Sequence, residues 1–156
     1  MFASLRKLIS EIGEDGKHPS RFEEDDYRLA AAALLVHAAS IDGSVSELER
    51  AKLLGVIKQR FSLDDAATDE LVAKATAAEQ QAIDLYQFTA RLNRSLDEPA
   101  RARVIEMMWQ IVYADGVVSE FEDNLIWRAA DLLGVSRDER IALRERVAAE
   151  ETGKKT

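Results

Sequence analysis

Cysteine is absent from all 156 residues. That rules out a disulfide framework, a zinc–thiolate site, an iron–sulfur cluster and a cysteine nucleophile. Any metal must then be a hard ion held by oxygen. Histidine is scarce: only His18 and His37 are present. His18 falls in a polar loop. His37 falls in the middle of an apolar helix, where a half-buried core or interface role is expected, so no Ser–His nucleophile pair suggests itself. Bases are also few, with 21 Lys and Arg against 29 Asp and Glu and a net charge of −8. Nucleic-acid binding needs clustered cations to neutralise phosphate, so nucleic acid is not an expected partner. The longest apolar stretch, Leu29 to Ala39, contains His37 and is too short to cross a bilayer, which takes about 20 helical residues. The seven glycines form no Gly-x-Ser-x-Gly, Walker or dinucleotide-binding pattern. A hydrolytic carboxylate pair is conceivable, but no spacing selects one. The chain is therefore expected not to be an enzyme. The first ten residues lack the order of a signal peptide, since Arg6 and Lys7 follow apolar residues. A cytoplasmic location is expected.

The apolar spacing is helical almost throughout. Phe2, Leu5, Leu8, Ile9 and Ile12 predict an amphipathic helix over about 2–13, and Gly13 to Ser20 reads as a linker. Further helices are predicted at about 22–41, 46–60, 64–82, 84–96, 97–114, 119–133 and 136–149. Glu23, Glu24, Asp25 and Asp26 are placed in the first turn of the 22–41 helix, where carboxylates complement the dipole. The 22–41 and 97–114 helices are apolar nearly all round and should be buried. Leu48, Leu53, Leu54 and Ile57 are expected to face inward. Trp109, Tyr113, Phe121 and Trp127 are read as core, and Gly55 as a point of close helix packing. No segment alternates with period two, so no sheet is expected. The prediction is an all-α single-domain bundle of seven to eight helices. It divides into an N-terminal amphipathic helix and linker (1–20), a helical domain (21–150) and a disordered tail (151–156).

Two stretches match each other. His37-Ala-Ala-Ser-Ile-Asp-Gly-Ser-Val-Ser-Glu-Leu-Glu49 and Gln110-Ile-Val-Tyr-Ala-Asp-Gly-Val-Val-Ser-Glu-Phe-Glu122 share six positions at a constant offset of 73 residues. This predicts an internal helix–turn–helix duplication. Ser46-Glu-Leu-Glu49, Ser119-Glu-Phe-Glu122 and Ser136-Arg-Asp-Glu139 each fit a capping box. The Asp-Gly-x-Val-Ser-x-x-Glu pattern is also the second half of a calcium-binding EF-hand loop, but the first half is missing: Ala38 and Ser40, or Ile111 and Tyr113, stand where oxygen ligands belong. If the halves face each other, Asp42, Glu49, Asp115 and Glu122 could together hold Ca²⁺ or Mg²⁺, with Glu47 and Glu120 adjacent. Turn and cap chemistry alone accounts for Gly43, Gly116, Ser46, Ser119, Glu49 and Glu122. It accounts less well for Asp42 and Asp115, because a carboxylate near the negative end of a helix is unfavourable.

At this motif the sequence resembles the tellurite-resistance protein B (TerB) family, whose domains also occur at the N-terminus of DjlA co-chaperones. Leu53-Leu54 and Ile126-Trp127-Arg-Ala-Ala-Asp-Leu-Leu-Gly134 extend the resemblance over about 25–148. It implies an all-helical, internally duplicated fold of about seven helices, an acidic surface that chelates metal or contacts partners, and a link to tellurite and chemical stress. Onto this chain it carries Asp42, Glu49, Asp115 and Glu122. The N-terminal segment departs from the tellurite-resistance proteins, and these residues contain no J-domain, so the co-chaperone role does not carry over. Two functional expectations stand. One is an interaction module with an acidic, cation-binding face. The other is a metal-free scaffold that recruits a protein partner, or a second copy, through the N-terminal helix or an apolar groove. That helix could instead lie on a membrane surface or fold back on its own domain.

Overall fold

A computed structural model describes residues 22, 26–41, 45–82, 85–114 and 118–155, with side chains through Glu151. The described residues form seven helices and no strand: α1 (Tyr27–Ser40), α2 (Glu47–Arg60), α3 (Asp65–Gln81), α4 (Tyr86–Ser95), α5 (Glu98–Val112), α6 (Glu120–Leu132) and α7 (Arg137–Lys155). The predicted helix over 2–13 lies outside the described residues.

Two apolar helices form the centre. In α1, alanines at 30–33, 38 and 39 favour helix intrinsically and are all buried. Their small side chains let α3, α4, α5 and α2 pack around α1. In α5, Val104, Ile105, Met108, Trp109, Ile111 and Val112 are likewise buried, and α7, α1, α2 and α6 cover them. The box helices α2 and α6 begin at Glu47 and Glu120, 73 positions apart, and each packs on both central helices.

The helix ends show why the elements stop where they do. Asp64 and Asp97 accept the N–H groups of Ala67 and Ala100 at 2.7 and 3.0 Å, and Pro99 sits harmlessly in the first turn of α5. α2 and α6 both end in a left-handed residue, Ser62 (φ 54°) and Gly134 (φ 75°). In each case the next N–H reaches back five residues, Leu63 to Lys58 and Val135 to Ala130, which is the Schellman arrangement. The carbonyls of Leu132 and Leu133 at the end of α6 also accept from Asn93 and Arg101 at 2.9 Å. Those two bonds fix α6 against α4 and α5.

Several expectations need correction. α1 starts at Tyr27 rather than at 22, because Asp26 is its cap: its carboxylate accepts the Arg28 N–H at 2.8 Å and forks with the Arg28 guanidinium. The tail expected to be disordered from 151 belongs to α7, which runs to Lys155. Glu151 is buried there, and its carboxylate holds Lys52 of α2 at 2.7 Å. Gly55 marks no close packing: it is exposed, and a methyl group there would meet nothing within 4 Å. Leu48 points outward, 61% exposed, and so do Phe121 and Trp127. Leu48 and Phe121 hold the same place in the first turns of α2 and α6, at the rim of the bundle where none of the described helices lies over them.

Candidate functional site

The two Asp-Gly stretches join α1 to α2 and α5 to α6. Asp42, Gly43, Asp115 and Gly116 lie outside the described residues, so the structure defines the frame on either side of them. α1 has its C-cap at Ile41 and α5 at Tyr113. Each aspartate therefore follows within two residues of the negative end of a buried helix.

On the far side both capping boxes are complete. The Ser46 hydroxyl accepts the Glu49 N–H at 3.0 Å, and Glu49 Oε1 accepts the Ser46 N–H at 3.1 Å. The matching distances at Ser119 and Glu122 are 3.1 and 2.8 Å. At Ser136 the hydroxyl accepts the Glu139 N–H at 3.1 Å. Glu49 and Glu122 are 3% and 1% exposed, whereas Glu47 and Glu120, two positions before them, face solvent. Burying a carboxylate is costly unless it is hydrogen-bonded, and the box supplies that bond for one oxygen of each. Any role of Glu49 or Glu122 toward a cation would have to use Oε2. Among the described residues, no group of three or more His, Asp or Glu side chains is arranged to hold a metal.

The second loop has a clamp that sequence reasoning missed. Arg144 of α7 donates from Nε to the Tyr113 hydroxyl at 2.9 Å and from Nη1 to Asp123 Oδ1 at 3.0 Å, with its guanidinium 5.2 Å from the Trp109 ring centre. It thereby ties the end of α5 to the start of α6 across the loop. The hydrogen bond to Tyr113 leads the effects that raise the arginine's pKa, and the charge of Asp123 adds to it. The first loop is held differently: Ser40, in the place of Tyr113, turns its hydroxyl back to the Val36 carbonyl at 2.9 Å.

A second polar cluster lies on α5. Glu106, only 7% exposed, receives Arg60 of α2 at 3.1 Å, Arg146 of α7 at 2.6 Å and Arg103 of its own helix at 3.4 Å. Burial pushes its pKa up, but the hydrogen bond from Arg146 and the charges of Arg60 and Arg146 outweigh that and hold it below the usual glutamate value. Gln110, one turn on, also accepts from Arg60, at 3.2 Å. His37, its counterpart on α1, pairs instead with Glu79 of α3 at 2.8 Å. Both positions are half-buried and polar, as expected, but they serve different neighbours. Arg146 and Arg60 lie 40 and 46 residues from Glu106 in the chain, so no local pattern could have revealed those two partners.

Among the described residues no helix is long and apolar enough to cross a membrane. Residues 28–145, well over half of the chain, match the family model described as "Tellurite resistance protein TerB". Among curated proteins and among solved structures, nothing matches the chain.

Proposed function

Because the chain belongs to the tellurite resistance protein TerB family, we propose that it is a small cytoplasmic interaction module whose two Asp-Gly loops present an acidic face that takes a hard divalent cation, Ca²⁺ or Mg²⁺, in a response to tellurite or related chemical stress. The observation that carries this reading is the position of the two aspartates. Each sits just beyond the negative end of a buried helix, where a carboxylate is disfavoured unless a positive charge compensates it. The caps already explain Glu49 and Glu122, so these two act mainly as buried supports that fix the far end of each loop. Asp42 and Asp115 are the primary ligands in this reading, with exposed Glu47 and Glu120 beside them. A divalent cation of this class takes six to eight oxygens for Ca²⁺, so waters or a partner's carboxylates would complete the shell. The role is binding rather than catalysis: Glu106 is engaged by three arginines and His37 by Glu79.

The second reading is a metal-free scaffold that recruits a protein partner. It is favoured by the engagement of Glu49 and Glu122 in caps and by the exposed Val45 and Leu48 beside the first loop. Calorimetric titration of chelator-treated protein with Ca²⁺, Mg²⁺ and Mn²⁺ separates the two. The cation reading predicts heat and a rise in melting temperature that Asp42→Asn/Asp115→Asn abolishes. No heat and no shift at millimolar ion, with the double variant behaving like the parent, would leave the scaffold.

A further inference from the structure

Of the seven large hydrophobic side chains exposed among the described residues, three lie on α6: Phe121 (64% exposed), Trp127 (49%) and Leu132. No other described helix carries more than one. A helix turns about 100° per residue. Asn124 therefore marks the middle of the outer face, while Leu125, Ile126, Ala129 and Ala130 are turned into the core. Around Asn124 the face has the same character in both directions. Aromatic Phe121 and Trp127 stand three positions before and after it, and charged Glu120 and Arg128 stand four before and after. All five residues are exposed. The matching helix α2 lacks the second half of this pattern: 73 positions earlier, Leu54 and Gly55 stand where α6 has Trp127 and Arg128. On one flank Trp127 lies beside Arg140 of α7, whose guanidinium is 6.0 Å from its ring centre. On the other flank Ile41 joins Phe121 and Arg128 around a depression of about 550 Å³.

We propose that this face binds the same face of a second copy of the chain, α6 against α6, antiparallel about a two-fold axis at Asn124. In such a pair, position 120 of one copy stands level with 128 of the other, and 121 with 127. Each level brings Glu120 and Phe121 against Trp127 and Arg128 of the second copy. Every combination across that level is attractive: carboxylate with guanidinium, carboxylate with indole N–H, ring with guanidinium and ring with ring. A small sideways offset between the helices therefore leaves the sign of the interaction unchanged. The level occurs twice, once on each side of the axis. At the axis Asn124 meets Asn124 of the second copy, and each amide can both donate and accept. A parallel pair would instead set Glu120 against Glu120 and Arg128 against Arg128, so charge selects the antiparallel orientation. The contact is isologous and closes at two copies. The 13 residues of α6 span about 20 Å, which puts the contact at the small end of protein interfaces and makes the dimer a readily dissociating one. Neither Asp-Gly loop takes part, so the inference stands apart from the cation reading.

Sedimentation equilibrium of the full-length chain in chelator tests the association. The expected result is a mass that rises from one chain toward two between about 1 μM and about 1 mM. Glu120→Arg alone, and Arg128→Glu alone, should each raise the dissociation constant about tenfold, and Glu120→Arg/Arg128→Glu together should restore it because the pairs re-form with their signs exchanged. The absence of cysteine lets thiols report the register. Under mild oxidation Asn124→Cys should link to itself, and Glu120→Cys should link to Arg128→Cys when the two variants are mixed. Neither of these last two should link to itself, since its two copies stand about 12 Å apart along the helices, beyond disulfide reach. Gln59→Cys on α2 is the remote exposed control. A chain still monomeric at about 1 mM would overturn the proposal, whether another part of the chain or a different protein covers the face. So would an exchanged-charge variant that stays weak, or Asn124→Cys linking no faster than Gln59→Cys.

Discussion

Replacing Glu106 with glutamine removes one negative charge from the point where α2, α5 and α7 meet and leaves the shape almost unchanged. Oε1 can still accept from Arg60, but the new amide N–H₂ faces the Arg146 Nη2 that Oε2 held at 2.6 Å, donor against donor. One charge-assisted bond is lost, and those from Arg60 and Arg103 weaken because their acceptor no longer carries a negative charge. A fully buried pair broken on one side costs about 3–5 kcal/mol. Here Arg60, Arg103 and Arg146 are a quarter to a half exposed and can regain water, so the cost should fall to about 2 kcal/mol. For a chain of this size that lowers the melting temperature by about 4–8 °C. Urea unfolding followed by the fluorescence of buried Trp109 measures it at pH 7. The pH dependence adds a second check. Because the folded pKa of Glu106 lies below its unfolded value, its contribution is fully present above the unfolded value and is lost as pH falls through the folded one. The gap between parent and Glu106→Gln should therefore close in acid. A cost below about 0.5 kcal/mol at pH 7, which is the level of an ordinary surface substitution, or a gap that persists in strong acid would refute the reasoning.

Other expectations are simpler. Gly55→Ala should stabilise by about 1 kcal/mol, since the site is an exposed helix interior with open space around it, and chemical denaturation would show it. Gly134→Ala should cost about 1 kcal/mol because φ is 75° there, while Ser62→Gly, at φ 54°, should gain about 0.5 kcal/mol after the added freedom of the unfolded chain is counted. A Ser62→Gly variant destabilised like an ordinary helix glycine would contradict the left-handed assignment.

What could be read from the sequence was local. The capping boxes at Ser46 and Ser119 and the buried α1 and α5 follow from residues within one or two turns of each other. Membership of the family was legible in the paired Asp-Gly motifs. The exposure of Leu48, Phe121 and Trp127 was not, because helical periodicity shows which residues share a stripe but not whether another helix covers its first turn. The bonds of Glu106 to Arg60 and Arg146 and the Arg144 clamp join residues 21 to 46 positions apart, where spacing carries no signal. The same limit applied at the C-terminus: Glu151 is held by Lys52, 99 positions away, so a segment that reads as a frayed tail is helix.

The central functional claim is that a cation sits at the two Asp-Gly loops and not elsewhere on an acidic surface. Broadening of backbone amide resonances by substoichiometric Mn²⁺, a paramagnetic stand-in for the hard divalent ion, tests this most directly. The account predicts loss of signal centred on residues 41–46 and 113–119, relieved by excess Mg²⁺ and abolished by Asp42→Asn/Asp115→Asn. Broadening centred on other acidic turns, such as Asp64 to Glu70 at the start of α3, or spread evenly over the exposed carboxylates, would contradict it.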